Sequence, residues 1–166
     1  MIIYTDGACS STDKTGGWAT VIVAPQQIPN ITNVHLNVQE NCIVISSNAY
    51  DTTNNIMELT AVLYAMKTIL TTEIEDTSHI IYTDSAYIAN CFNAKWYERW
   101  QRNGWITASK QPVANKELWQ EILSLYKAII QKLHTVDFCH VKGHGNTYYN
   151  NIADSFAVSE RLALRR

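Results

Sequence analysis

The stretch IIYTD stands at residues 2–6 and again, letter for letter, at residues 80–84. Each copy is a β-branched and aromatic run that ends in a carboxylate, the composition of a buried strand with an acid at its end. The residues that follow are GACSSTDKTGG and SAYIANCFNAK, which share nothing. A repeat architecture is therefore excluded. Two strands that each deliver an aspartate to one place are the better reading. If they are parallel neighbours in similar register, the two side chains lie roughly 5 Å apart across the sheet. Carboxylates that close repel each other unless a cation lies between them.

Working outward, residues 2–8 read as a first strand, 18–24 as a second, and a third falls within 34–47, where HLNVQENCIVIS partly alternates. An apolar stripe of Ile56, Leu59, Val62, Leu63, Met66, Ile69 and Leu70 predicts a helix over 56–70. Strand 79–83, a helix over 86–92, a short helix over 96–103 ended by Gly104, and a helix over 117–133 follow. Strand 136–141 and a last helix over 152–164 complete the chain. The order β-β-β-α-β-α-α-α-β-α suggests an antiparallel meander extended by parallel strands, an α/β protein.

At 166 residues, 46% hydrophobic and 17% charged, the chain has the size and composition of one globular domain spanning residues 1–166. No apolar run approaches the ~20 residues of a membrane span. No basic stretch precedes an apolar one at the N-terminus, which argues against a signal peptide. Cys9, Cys42, Cys91 and Cys139 are far apart and form no CxxC pair, which fits free thiols in a reduced, cytoplasmic setting rather than a zinc site. The net charge of −2 is unevenly spread. Residues 1–94 carry two basic and nine acidic side chains, and residues 95–166 carry eleven and six. An acidic half joined to a basic one suits a protein that holds cations on one surface and phosphates on another.

Several polar residues admit two readings. Asp6 either opens a turn with Gly7 or stands inside a strand that continues through Ala8 and Cys9. A buried strand carboxylate needs a partner or a metal. Asp84 precedes a helix as TDS, an ordinary N-cap; the repeated phrase gives it a second reading as Asp6's counterpart. Glu58 follows Asn55 at capping-box spacing, or the first turn of its helix aims it at the same sheet edge. Asp154 suits an exposed acid in a first helical turn. His144 lies between two glycines just after a strand, where functional loops are common. His140, four residues earlier, could make a zinc pair with it, but a strand does not place i and i+4 on one face as a helix does.

Taken together, YTDGAC at 4–9, GGW at 16–18, TTNNIMEL at 52–59, YTDSAY at 82–87, the Trp-rich stretch 96–119, VKGHG at 141–145 and N-x-x-x-D at 150–154 resemble type 1 ribonuclease H, nearly end to end. The resemblance implies a ribonuclease H-like fold, with a five-stranded mixed sheet of order 3-2-1-4-5, strand 2 antiparallel, flanked by helices. It implies hydrolysis of the RNA strand of RNA–DNA hybrids, leaving 5′-phosphate and 3′-hydroxyl ends. Asp6, Glu58, Asp84 and Asp154 match the family's metal-binding acids, and His144 its loop histidine. Four hard oxygen donors suit a pair of Mg²⁺ ions, with Mn²⁺ able to substitute. Crowded without metal, these acids predict at least one raised pKa and a melting temperature that Mg²⁺ increases.

The same resemblance assigns Cys9, Asn54 and Asn55 to the minor groove, where 2′-hydroxyls distinguish RNA from DNA. It assigns Thr53 to a pocket for a DNA phosphate and residues 96–105 to a basic protrusion against the DNA strand. Trp100, Arg102 and Trp105 are candidate contacts there, although some of these tryptophans are expected to form a small core of their own. Thr12 stands where an asparagine often holds the phosphate, Ile56 where arginine is common, and the segment between Trp18 and Thr52 is long for the compact bacterial form. The partner implied is an RNA–DNA hybrid duplex, on which the protein acts as a monomer, with no membrane. Two rivals are another nuclease of this fold that cuts DNA, and a hybrid-binding module without catalysis. The TTNN segment and the tryptophans argue against the first, and four intact acids against the second.

Overall fold

A computed structural model describes residues 1–142 and 148–164. Six strands form one sheet: β1 (Ile2–Cys9), β2 (Gly16–Val23), β3 (His35–Val38), β4 (Cys42–Ala49), β5 (Ser78–Thr83) and β6 (Thr135–His140), in the order β3-β4-β2-β1-β5-β6. Among the described residues five helices accompany them: α1 (Asn54–Thr71), α2 (Ala86–Asn93), α3 (Trp96–Asn103), α4 (Lys116–Gln131) and α5 (Tyr148–Leu162).

The twin phrases are parallel neighbours in matching register, Ile2 to Ile80, Ile3 to Ile81, Tyr4 to Tyr82 and Thr5 to Thr83. Identical side chains therefore meet across the sheet, and the Tyr4 and Tyr82 rings stack at 4.6 Å. The expected count of five strands is corrected to six. The window 34–47 holds two strands, joined at Gln39–Asn41 without a glycine or proline to mark the turn. β3 is exposed along its whole length and pairs antiparallel with β4, so it runs with β2 as a second reversed strand. The other five strands keep the expected order and senses.

Alternation along the strands creates two apolar faces. Ile3, Ile22, Ile45 and Ile81 turn to α1, behind which α4 packs. Tyr4, Ala19, Val21 and Val44 turn to α5. Small residues let α5 come close. A β-carbon on Gly17 would collide with the Ala157 backbone oxygen. Gly7 does the same for α1, since a β-carbon there would fall 2.5 Å from the Glu58 nitrogen. α3 ends at Gly104, whose left-handed φ of 80° suits glycine. α5 already includes residues 148–151, ahead of the start at 152 that the sequence suggests, and Tyr149 packs on Tyr4. Among the described residues, no helix is long and apolar enough to cross a membrane.

Candidate active site

Three carboxylates meet at one end of the sheet. Asp6, Glu58 and Asp84 each offer an oxygen, and these oxygens lie within 4.8 Å of one another. Each comes from a different element. β1 runs on through Cys9, with Asp6 paired to Ala19, so Asp6 is a mid-strand residue and not a turn opener. Asp84 is one residue past β5. It does not cap α2: Ser85 is the cap, and its hydroxyl accepts from the Ile88 N–H at 3.2 Å. Glu58 is the fifth residue of α1, whose cap is Thr53, accepting from the Ile56 N–H at 3.2 Å. The capping-box reading of Glu58 therefore fails, because the helix starts earlier than 56.

Asp6 and Glu58 are each only 4% exposed. Burial and the nearby Asp84 charge push the Asp6 carboxyl up to about 7, against the opposing pull of hydrogen bonds from Glu58 and the Gly7 N–H. The Gly7 bond is 2.8 Å, to Asp6 Oδ1. Burial, then the charges of Asp6 and Asp84, hold Glu58 well above the usual carboxylate range. Without a cation the pair keeps a proton, donated by Glu58 to Asp6. Among the described residues, the buried Glu58 Oε2 has no hydrogen-bond partner. A buried lone pair facing other carboxylates is what a hard cation satisfies, so the donor set fits a divalent metal.

Asp154 is half-buried in the second turn of α5 rather than exposed in the first. It stands outside the three-acid cluster, near enough to Asp6 to raise its pKa. His144 lies outside the described residues. His140 closes β6, where its Nε2 lies 3.1 Å from the Asp84 backbone oxygen.

The expected substrate residues divide into two groups. Cys9 Sγ lies 3.4 Å from the Thr52 oxygen, which brings the end of β1 to the start of α1, where Thr53, Asn54 and Asn55 are exposed. The Thr52 N–H donates to the Lys14 oxygen at 3.1 Å, which places the turn bearing exposed Thr12 along the same rim. In the second group, Trp100 and Trp105 are buried against each other and in the core with Trp119. The satellite core expected of some tryptophans is thus part of the main one. The open residues around the neighbouring hollow of about 570 Å³ include Trp96, Lys95, Arg99 and Arg102, with Glu98 among them.

A family model described as RNase H matches residues 1–161. Over 166 residues the chain is 36% identical to a ribonuclease H of Moorella thermoacetica, covering all of this chain and 94% of that one. It is 41% identical over 160 residues to a ribonuclease H of Clostridium botulinum, covering 95% and 92%. Among solved structures, a type 1 RNase H with the type 2 active-site motif superposes with a TM-score of 0.73 at 24% identity, over 99% of this chain and 72% of that one. A foamy viral protease-reverse transcriptase in complex with RNA/DNA hybrid gives 0.71 at 21% identity, over 98% of this chain and 20% of the longer one. These structures share the fold, and the sequence match through the three gathered carboxylates goes further: the chain belongs to the ribonuclease H family.

Proposed function

We propose that this protein is a metal-dependent endoribonuclease that hydrolyses the RNA strand of RNA–DNA hybrids and leaves 5′-phosphate and 3′-hydroxyl ends. The observation that carries this reading is the cluster of Asp6, Glu58 and Asp84, with Glu58 Oε2 buried and without a partner among the described residues. Family membership supports it, as does a neighbour of the same fold solved with an RNA/DNA hybrid.

Asp6, Glu58, Asp84 and Asp154 would hold a pair of Mg²⁺ or Mn²⁺ ions. Bound there, such ions supply Lewis acidity at the scissile phosphate and an acidified attacking water. Asp6 and Glu58 exclude solvent from the floor of the site, which strengthens electrostatic interactions within it. Glu58 must give up its proton for both oxygens to act as ligands. Asp84, half-buried at the strand end, is the most open of the three acids. His144 serves proton transfer or product release. Cys9, Asn54 and Asn55 read 2′-hydroxyls, Thr12 and Thr53 hold a DNA phosphate, and Trp96, Arg99 and Arg102 meet the DNA strand. The protein acts as a cytoplasmic monomer.

The test is a gel assay on one 5′-labelled RNA, free, paired to RNA, or paired to DNA. Each is incubated with Mg²⁺, with EDTA, and with the Asp84→Asn protein. Cleavage confined to the DNA-paired RNA and lost in both controls is the expected result. Binding without turnover in either Mg²⁺ or Mn²⁺ would replace an enzyme by a binding module, and cutting of duplex DNA would replace the substrate.

A further inference from the structure

Asp6 and Asp84 close identical phrases, yet their backbones are held differently. Asp6 sits inside a ladder, with Thr5, Asp6 and Gly7 paired to Thr20, Ala19 and Trp18. Asp84 lies one residue beyond the last pair β5 makes with β1, Thr5 with Thr83, and beyond the last it makes with β6, Thr83 with His140. α2 does not take it over either. The cap is Ser85, whose carbonyl accepts from Ala89 and whose own N–H goes to the Thr83 hydroxyl. The Asp84 carbonyl thus falls between ladder and helix, where a backbone acceptor needs another partner.

That partner is His140. Its Nε2 lies 3.1 Å from the Asp84 oxygen. A carbonyl oxygen only accepts, so Nε2 carries the hydrogen whether the ring is neutral or charged. The ring is itself well placed to hold. The next ladder bond, Val141 N–H to the Thr83 oxygen at 2.8 Å, keeps β6 in step with β5 up to this point. Fixing the oxygen of the Asp84–Ser85 peptide restrains the backbone from which the Asp84 carboxylate projects.

We propose that His140 is a positioning residue. Its Nε2–H bond to the Asp84 carbonyl holds the main chain beyond β5 so that the Asp84 carboxylate faces Asp6 and Glu58 before an ion arrives. The inference rests on the reading of Asp84 as a metal ligand. It depends on a fixed hydrogen bond and not on a change of protonation. A ligand held in place binds more tightly than one that must be ordered on binding, and a missing outer partner shows as lost ion affinity.

The test measures Mn²⁺ binding to the intact protein by electron paramagnetic resonance, without nucleic acid. It is paired with kcat and KM for hybrid cleavage at several Mg²⁺ concentrations. Three variants are compared with the parent: His140→Phe keeps a ring without the donor, His140→Gln returns an N–H, and Asp84→Asn removes the ligand. The ring is exposed, so all should fold, which metal-free melting verifies. Expected are a loss of about 3- to 10-fold in Mn²⁺ affinity for His140→Phe, recovery in His140→Gln, unchanged KM, and a kcat deficit that shrinks as Mg²⁺ rises. If His140→Phe binds Mn²⁺ like the parent while Asp84→Asn does not, the positioning role is wrong and the site reading stands. If Asp84→Asn also binds like the parent, the site reading fails and takes the inference with it. A raised KM with unaltered Mn²⁺ binding would overturn the inference in favour of direct substrate contact.

Discussion

Two buried glutamates face each other across the function of this fold. Glu58 is 4% exposed and Glu160 is 8% exposed. Glu160, on α5, is surrounded by donors. Ser46 Oγ donates to its Oε2 at 2.7 Å, His35 Nδ1 meets the same oxygen at 2.6 Å, and Asn48 Nδ2 donates to Oε1 at 3.1 Å. It ties α5 to β4 and to the additional edge strand β3. Glu58 is surrounded instead by Asp6 and Asp84, and among the described residues its Oε2 has no donor. Burial costs both side chains hydration. In one case local hydrogen bonds offset the cost and the carboxylate braces the structure. In the other a retained proton offsets part of the cost, and the open Oε2 among three acids is left for a cation. Such a site is the destabilised kind that proteins retain for function.

The sharpest way to break the comparison is to neutralise each glutamate. Glu58→Gln, which keeps the shape and removes a ligand, should lower hybrid cleavage by at least ~10²-fold, as loss of a preorganised electrostatic contact does. Its metal-free melting temperature should stay level, because the amide takes the place of an already protonated carboxyl and can still donate to Asp6. A single-turnover assay and a thermal scan in EDTA suffice, and retained cleavage would remove Glu58 from the site. Glu160→Ala should do the reverse. Leaving Ser46 and Asn48 without their acceptor should cost about 2–4 kcal/mol, or roughly 5–15 °C in Tm, with kcat per folded molecule unchanged. Denaturant melts at 25 °C read the first quantity, and a collapse of kcat in fully folded protein would make Glu160 part of the machinery.

Half of this contrast was legible in the sequence. The repeated phrase placed Asp6 and Asp84 together because identical strand patterns adopt identical register, and the motif around Glu58 carried the third acid. Glu160 gave no signal. In the run SERL it looks like a solvated helix residue, and His35, Ser46 and Asn48 are more than 100 positions away. β3 was hidden for a related reason: a strand exposed on every residue has no apolar face to reveal its period. The caps misled by position. TDS and N-x-x-E fit helix starts locally, but Ser85 and Thr53 take the role, and so Asp84 and Glu58 remain free for one another.

pH also separates the two glutamates' neighbourhoods. An acid whose folded pKa is raised stabilises the folded state fully below its unfolded value and loses that contribution as pH climbs through the folded value. For Asp6 the window runs from its ordinary 3.8 up to about 7. The metal-free protein should therefore lose up to about 4 kcal/mol of this contribution across that window. Mg²⁺, which competes with the proton, should raise Tm more at pH 8 than at pH 5.5. Glu58→Gln should flatten the slope and Glu160→Ala should leave it intact. A Mg²⁺ increment that is the same at both pH values would mean the clustered acids do not take up the ion.

The smallest expected effect extends the contrast from carboxylates to tryptophans. Trp100 is 6% exposed and packs edge-on against Trp119, whereas Trp96 is 38% exposed beside Arg99 and Arg102. A ring already surrounded by core has little face left for a nucleic acid, while an open ring beside two guanidinium groups can stack on one. Trp96→Ala should weaken hybrid binding by ~1 kcal/mol, about fivefold, with Tm shifted by no more than a degree or two. Trp100→Ala instead belongs with Glu160, as a loss of core packing seen in Tm. Fluorescence anisotropy with a labelled hybrid in Ca²⁺, at two salt concentrations, distinguishes them. If Trp96→Ala binds like the parent, the open face around Trp96 is solvated surface, and the substrate is held by the rim of Cys9, Thr12, Thr53, Asn54 and Asn55.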